Sequence, residues 1–367
     1  MTAKYMDRTS TGAIKGIALV LMFIHHLFCF PEFLIDSVYY PGIQTFADLF
    51  CMPTNICVPI FAFLTGYFYA FAKKRNLIYS VRKISDIYIS YWIVYLVLLA
   101  LAIIWGCCEF SLFVFAYELT AARTEIMVFC WYVIFYTVSM LLLPVLTGKR
   151  GQDLFMDIVM VFFLPIITGS VLTKMYLGGI WYNFAYYLLD WFPVISVGYL
   201  FAKYDLFDSI FDCRICQVSS NKVKIFIFIL AVISACAGRY WCNYFYLGEL
   251  NIRGDGFNIV FKTDILYAPL FIWGISNLLQ YIRNGSIIKI LNLIGKHSLL
   301  MWFLHCAFYN VSRDVLQPIL YAPKNPIFVL LWGLILCLIP SLILNPVIVL
   351  LQKWKNKILD FILKPFL

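Results

Sequence analysis

The chain has 367 residues, 63% of them hydrophobic and only 13% charged, with a mean hydropathy of +0.88. Soluble domains average roughly 45–50% apolar and about 25% charged residues, and a soluble fold of this length has no interior for so much apolar surface. The net charge of +9 would suggest nucleic acid in a soluble protein, but here it is the Lys and Arg excess of cytoplasmic loops, so no nucleic-acid partner is expected.

Apolar runs long enough to cross a ~30 Å hydrocarbon core recur along the chain, cut by short polar loops. Transmembrane helices are predicted near 12–30, 50–72, 84–106, 126–146, 154–173, 179–201, 223–247, 259–280, 296–316 and 326–351. The expectation is an all-α polytopic bundle of about ten helices in one membrane domain, 1–367, with the lipid bilayer as its surroundings. Lys4, Arg8 and Lys15 before the first run resemble the start of a signal peptide. No small-residue cleavage site follows, and the run holds two His, so it is kept as a helix. No internal repeat is visible, which gives an inverted-repeat transporter no support.

Loop charge tests the helix count. Most of the 28 Lys and Arg fall on alternate loops. The N-terminal side has Lys4, Arg8 and Lys15, and the next loop on that side has Lys73, Lys74, Arg75, Arg82 and Lys83. Lys149 and Arg150 follow, then Lys203, Arg214, Lys222 and Lys224, then Arg283, Lys289 and Lys296, and finally Lys353, Lys355, Lys357 and Lys364. The opposite side holds only Arg123, Lys174, Arg253, Lys262, Arg313 and Lys324. The positive-inside rule then places both termini in the cytoplasm, in a multi-pass protein of the cell (plasma) membrane.

Twelve cysteines are present, most within apolar runs, where such residues behave as small hydrophobes. Cys213 and Cys216 form one CxxC with no second ligand pair nearby, so no metal site is expected. Pairing of Cys107 with Cys108, at an outer helix end, is neither argued nor excluded.

Ionisable groups within lipid are costly and tend to mark function. His25, His26, Asp190, Arg239 and His305 lie in the predicted spans. His26 is eleven residues beyond Lys15, which on a helix is ~16 Å deeper and only ~20° around, while His25 turns the other way. A cation at the cytoplasmic rim and an imidazole at mid-membrane on one face suit an anionic donor and a general base. A histidine pair satisfied by neighbouring helices and a snorkelling lysine fit the same spacing. The five cations at 73–83 suit anionic lipid head groups or the phosphates of a nucleotide-type cofactor, with Arg82 and Lys83 at the helix mouth the better candidates for the second. Asp190 and Arg239 have opposite signs and are expected to pair. Asp264 is expected to face a polar cavity open to the outside. Glu109, Glu118, Glu125, Glu249 and Asp255 lie in outer loops among Tyr and Trp, a combination found in carbohydrate sites and equally at ordinary membrane interfaces.

Five segments in order resemble one family. Residues 15–26 read KGIALVLMFIHH, similar to the Arg, ten residues, His opening of the integral-membrane acyltransferase family called acyltransferase 3. Residues 58–67, VPIFAFLTGY, are similar to its VPxFFFxSGY segment, and 82–92, RKISDIYISYW, to its basic start followed by Pro-Tyr. WYVIF at 131–135 resembles its WFL segment, and GKHSLLMWFLH at 295–305 its GKxSLxxYLxH ending. Two departures stand out. Lys15 replaces the usual Arg and lacks its planar fork for phosphate, and no Pro precedes Tyr91.

The resemblance implies a membrane O-acyltransferase. It moves an acyl group, acetyl by default, from cytoplasmic acyl-CoA (acetyl-CoA) as co-substrate to a hydroxyl of a cell-surface carbohydrate or its lipid-linked precursor. It implies His26 as the essential histidine, Lys15, Arg82 and Lys83 as contacts to the CoA phosphates, and Ser298 and His305 as site-proximal or structural. His26 would act as general base or carry the acyl group itself. A transporter or flippase for a charged or glycan-linked lipid, with His26, Asp190 and Arg239 lining its path, is the alternative.

Overall fold

A computed structural model describes residues 6–30, 33–38, 42–43, 45, 53–122, 125–147, 153–175, 179–211, 217, 220–250, 259–282 and 285–363. For residues 8, 180, 243–250, 259–262 and 363 it describes the backbone alone. Lys4, Arg123, Lys149, Arg150, Arg214, Arg253, Arg283, Lys364, Cys213, Cys216 and Asp255 lie outside the described residues.

The chain is a polytopic all-α bundle, and the described residues contain no strand. In chain order the helices are α1 (Arg8–Phe28), α2 (Cys57–Ala70), α3 (Leu77–Ile104), α4 (Leu112–Glu118) and α5 (Trp131–Leu146). Then come α6 (Leu154–Lys174), α7 (Trp181–Lys203), α8 (Asn221–Leu250), α9 (Ile259–Tyr281), α10 (Ser286–His305), α11 (Arg313–Leu320) and α12 (Pro326–Leu363). Among the described residues, α1, α3, α6, α7, α8, α10 and α12 contain stretches long and apolar enough to cross a membrane, while α2 and α5 are shorter apolar helices.

Several boundaries differ from the sequence expectation. α2 has 14 residues, about 21 Å of rise, rather than the full span expected at 50–72. α3 begins at Leu77 because Asn76 caps it, its side chain accepting from the Tyr79 amide at 3.0 Å. Arg82 and Lys83 therefore lie in its second turn and not at its mouth. α10 begins ten residues earlier than expected. Gly295 and Lys296 lie inside the helix, and exposed Lys289 and Lys296 form its polar side. The helix then stops short of 316 in a turn where the Asn310 side chain accepts from the Ser312 amide at 2.8 Å. α12 has 38 residues, about 57 Å, so it exceeds a ~30 Å core and carries Lys353, Lys355, Lys357 and Asp360 past it.

Prolines widen two helices. A π-helical turn at Ile158–Phe163 precedes Pro165, and another at Tyr187–Trp191 precedes Pro193. A proline has no amide hydrogen and crowds the turn before it, so the preceding ladder relaxes to the wider spacing. Asp190 sits in the second of these turns.

The chain forms two compact units. One comprises Met1–Met22, Phe50–Arg75 and Leu142–Gly295. Small residues let backbones meet there, as is usual between membrane helices. A Cβ on Gly66 of α2 would stand 1.8 Å from the Ile195 carbonyl oxygen of α7, and one on Gly198 would stand 2.1 Å from that of Phe63. A Cβ on Gly295 would stand 1.8 Å from the Gly12 oxygen, and one on Gly16 2.1 Å from that of Leu291. The second unit comprises Phe23–Leu49, Asn76–Leu141 and Lys296–Leu367. In it α12 lies along α3. Lys355 bonds the Asp86 carboxylate at 2.7 Å, Gln352 donates to the Asp86 carbonyl at 3.0 Å, and Arg82 pairs with Asp360.

Candidate functional site

His26 occupies the last turn of α1. That turn is anchored, because the Tyr321 hydroxyl donates to the Leu27 carbonyl at 2.7 Å. Gln317, fully buried, holds the chain just beyond it. Its amide nitrogen donates to the Phe33 and Phe308 carbonyls at 2.7 and 2.8 Å, and its oxygen accepts from the Ile35 amide at 2.9 Å.

The His26 Nδ1 lies 2.7 Å from the His305 Nε2. The two rings are within 11° of parallel and their centroids are 4.8 Å apart. With so short a nitrogen contact, that separation places them edge to edge in nearly one plane, the geometry of an aligned hydrogen bond. His305 is 2% exposed, whereas His26 is half-buried. The reachable imidazole is thus His26, and His305 is the anchor.

The proton positions in the pair follow from one carbonyl. His305 Nδ1 faces the Trp302 carbonyl oxygen, which can only accept. His305 must therefore carry its hydrogen on Nδ1 and present Nε2 as an acceptor. His26 must in turn donate from Nδ1, which leaves its lone pair on Nε2. In this neutral state the arrangement runs Trp302 carbonyl, His305, His26, with a basic nitrogen at the exposed end. His305 is also the last residue of α10. Phe129 stacks on His26 at 4.2 Å and 16°.

The segment that presents Phe129 is pinned by buried groups. The Glu118 carboxylate at the end of α4 is 0% exposed and accepts from the amides of Glu125 and Ile126. Asn310 donates to the Ile126 carbonyl at 3.0 Å, and the Tyr91 hydroxyl to that of Glu118 at 2.9 Å. Glu118, read from sequence as a loop carboxylate, is thus a main-chain anchor. Glu109 and Glu125 line a cleft with Tyr95, Phe110 and Phe115. Glu249 is described by its backbone alone.

The remaining candidates separate. Arg239 is hydrogen-bonded to Asp264, Nε to Oδ1 at 2.7 Å and Nη2 to Oδ2 at 3.1 Å, where the sequence suggested Asp190. α8 and α9 are neighbours along the chain and pack side by side, which brings these two residues level. Both are 0% exposed, so Asp264 does not face an open cavity. Asp190 is buried on α7 and Ser298 on α10. The Lys15 ammonium lies 6.0 Å from the Phe68 ring centroid. The five-cation cluster is divided between helix and loop: Arg82 pairs with Asp360, and Lys83 lies 4.0 Å from Asp86.

Sequence reading missed three features. Phe129 and Trp302 act through a ring face and a carbonyl, neither of which leaves a signal in residue type. Cys29, one residue past α1, is disulfide-bonded. The other described cysteines are free thiols.

His305→Ala leaves the His26 Nδ1–H without its acceptor and its tautomer unset. A hydrogen bond to a group that becomes charged is worth about 1.5–3 kcal/mol, so turnover is expected to fall about 10- to 100-fold. His305→Gln restores an acceptor oxygen and is expected to recover part of that loss in steady-state kcat.

The sequence profile described as an acyltransferase domain matches residues 9–346. No curated protein and no solved structure matches the chain.

Proposed function

Because the chain belongs to the acyltransferase 3 family of membrane acyltransferases, we propose that it transfers an acyl group, acetyl by default, from cytoplasmic acyl-CoA to a hydroxyl of a cell-surface carbohydrate or its lipid-linked precursor. The observation that carries this reading is the His26–His305 pair, with a basic Nε2 set by the Trp302 carbonyl. In the proposed reaction His26 Nε2 takes the acceptor's hydroxyl proton as its oxygen attacks the thioester carbonyl. The carbon–sulfur bond breaks, CoA leaves as thiolate, and the proton on His26 passes to it. His26 as transient acyl carrier would use the same nitrogen as nucleophile.

The donor phosphates are assigned to the cytoplasmic ends of the helices, with Lys15, Arg82 and Lys83 the residues implied by family resemblance. The proposed topology has both termini in the cytoplasm of a plasma-membrane protein. The disulfide at Cys29 supports it, since disulfides persist on the oxidising side of a membrane and Cys29 follows the distal end of α1. Asp190 and Ser298 are kept as site-proximal, and Arg239 with Asp264 as the support of α8 and α9.

The test is release of free CoA thiol by the purified protein with acetyl-CoA, with and without acceptor glycan. Acceptor-dependent thiol release is expected. Movement of a glycan-linked lipid across a vesicle membrane with no thiol release would instead establish a flippase.

A further inference from the structure

Charge compensation separates the cytoplasmic cations. Arg82 pairs with Asp360, Lys355 with Asp86, and Lys203 with Asp157. Arg75 differs from all of these. It follows α2, is half-buried, and among the described residues its polar contacts are with Tyr199 alone. Its Nη1 donates to the Tyr199 hydroxyl at 3.1 Å, and its guanidinium carbon lies 6.0 Å from the same ring's centroid.

One acid close enough to act on Tyr199 is already engaged. Asp157 accepts from Lys203 and, at 2.7 Å, from the Tyr204 hydroxyl. The Lys203 ammonium lies 5.8 Å from the Tyr199 ring centroid, so two cations share one aromatic ring. Lys73 and Lys74, both exposed, add charge just before Arg75. Tyr199 is 0% exposed and cannot swing away, so it fixes the guanidinium while using one of its five N–H donors. The remaining donors form a planar fork suited to phosphate. Lys15 approaches Phe68, in the last turns of the helix that Arg75 follows.

We infer that Arg75, oriented by Tyr199, binds a phosphate group of the acyl-CoA donor, and does so more strongly than Arg82, whose charge is already paired with Asp360. The inference rests on the acyl-CoA reading above. CoA carries both a pyrophosphate and a 3′-phosphate, and either suits the fork. Tyr199 is a positioning residue, and a neutral one: it aims the cation without cancelling its charge.

The test uses the full chain in lipid nanodiscs, with calorimetric titration of CoA and of inorganic pyrophosphate. Arg75→Ala is expected to weaken CoA binding about 10- to 100-fold, the worth of a charged hydrogen-bonded contact. Arg75→Lys is expected to retain part of the affinity, and Tyr199→Phe to lose a few-fold. Arg82→Ala is expected to change CoA affinity by less than Arg75→Ala does. A monodisperse Arg75→Ala protein that binds CoA as the wild type does overturns the assignment and leaves the acyl-CoA reading intact. A wild type that binds pyrophosphate through Arg75 but not CoA keeps the anion site and removes acyl-CoA as its ligand.

Discussion

His26→Ala is expected to lower acyl transfer by about 10²–10⁴-fold, the usual contribution of a positioned general base. The loss follows from the direction of the hydrogen bonds. The Trp302 carbonyl fixes the proton on His305, His305 accepts from His26 Nδ1, and the lone pair of His26 Nε2 is the one basic position the pair presents. Alanine also removes the ring beneath Phe129 and leaves His305 Nε2 without its donor. His26→Asn separates these effects, because its amide can donate to His305 but has no basic nitrogen. Both variants are expected to remain in the membrane, and both to lose kcat, with little change in the acyl-CoA concentration that half-saturates the enzyme. Turnover retained by His26→Asn would remove His26 from the chemistry and leave the pair a packing device.

The second large effect concerns stability. Asp264→Ala leaves the Arg239 guanidinium fully buried with its hydrogen-bonded carboxylate gone. Breaking one partner of a buried ion pair costs about 3–5 kcal/mol, whereas replacing both by apolar groups of similar size is often neutral. Asp264→Ala is therefore expected to lower the unfolding midpoint strongly in detergent, and Arg239→Met with Asp264→Leu to return most of it. The double variant matters most. If it folds like the wild type and retains turnover, the pair serves the packing of α8 on α9; if it folds and is inactive, the two charges belong to the reaction.

Much of the fold is legible in the sequence. Hydropathy adds over some twenty residues, so α1, α6, α7, α8 and α9 begin and end within a few residues of expectation. The failures came where local signals compete. The expected start of α10 lies at 296, yet Gly295 is needed inside the helix because the Gly12 carbonyl approaches to where a Cβ would lie. The tail of α12 carries enough charge to look like a loop, yet Asp86 and Arg82 give Lys355 and Asp360 their partners on α3.

The site divides the same way. The chain by itself determined that the protein lives in lipid, that its first helix carries Lys15 and His26, and that both resemble an acyltransferase pattern. These are properties of composition and of spacing along one helix. Only the tertiary structure decided that His26 meets His305, 279 positions away, which tautomer the Trp302 carbonyl imposes, and that Arg239 bonds Asp264. Such pairings depend on which helices pack and at what depth. Hydrogen bonds reach only about 3 Å, so a pattern that predicts a helix to within a turn cannot predict them.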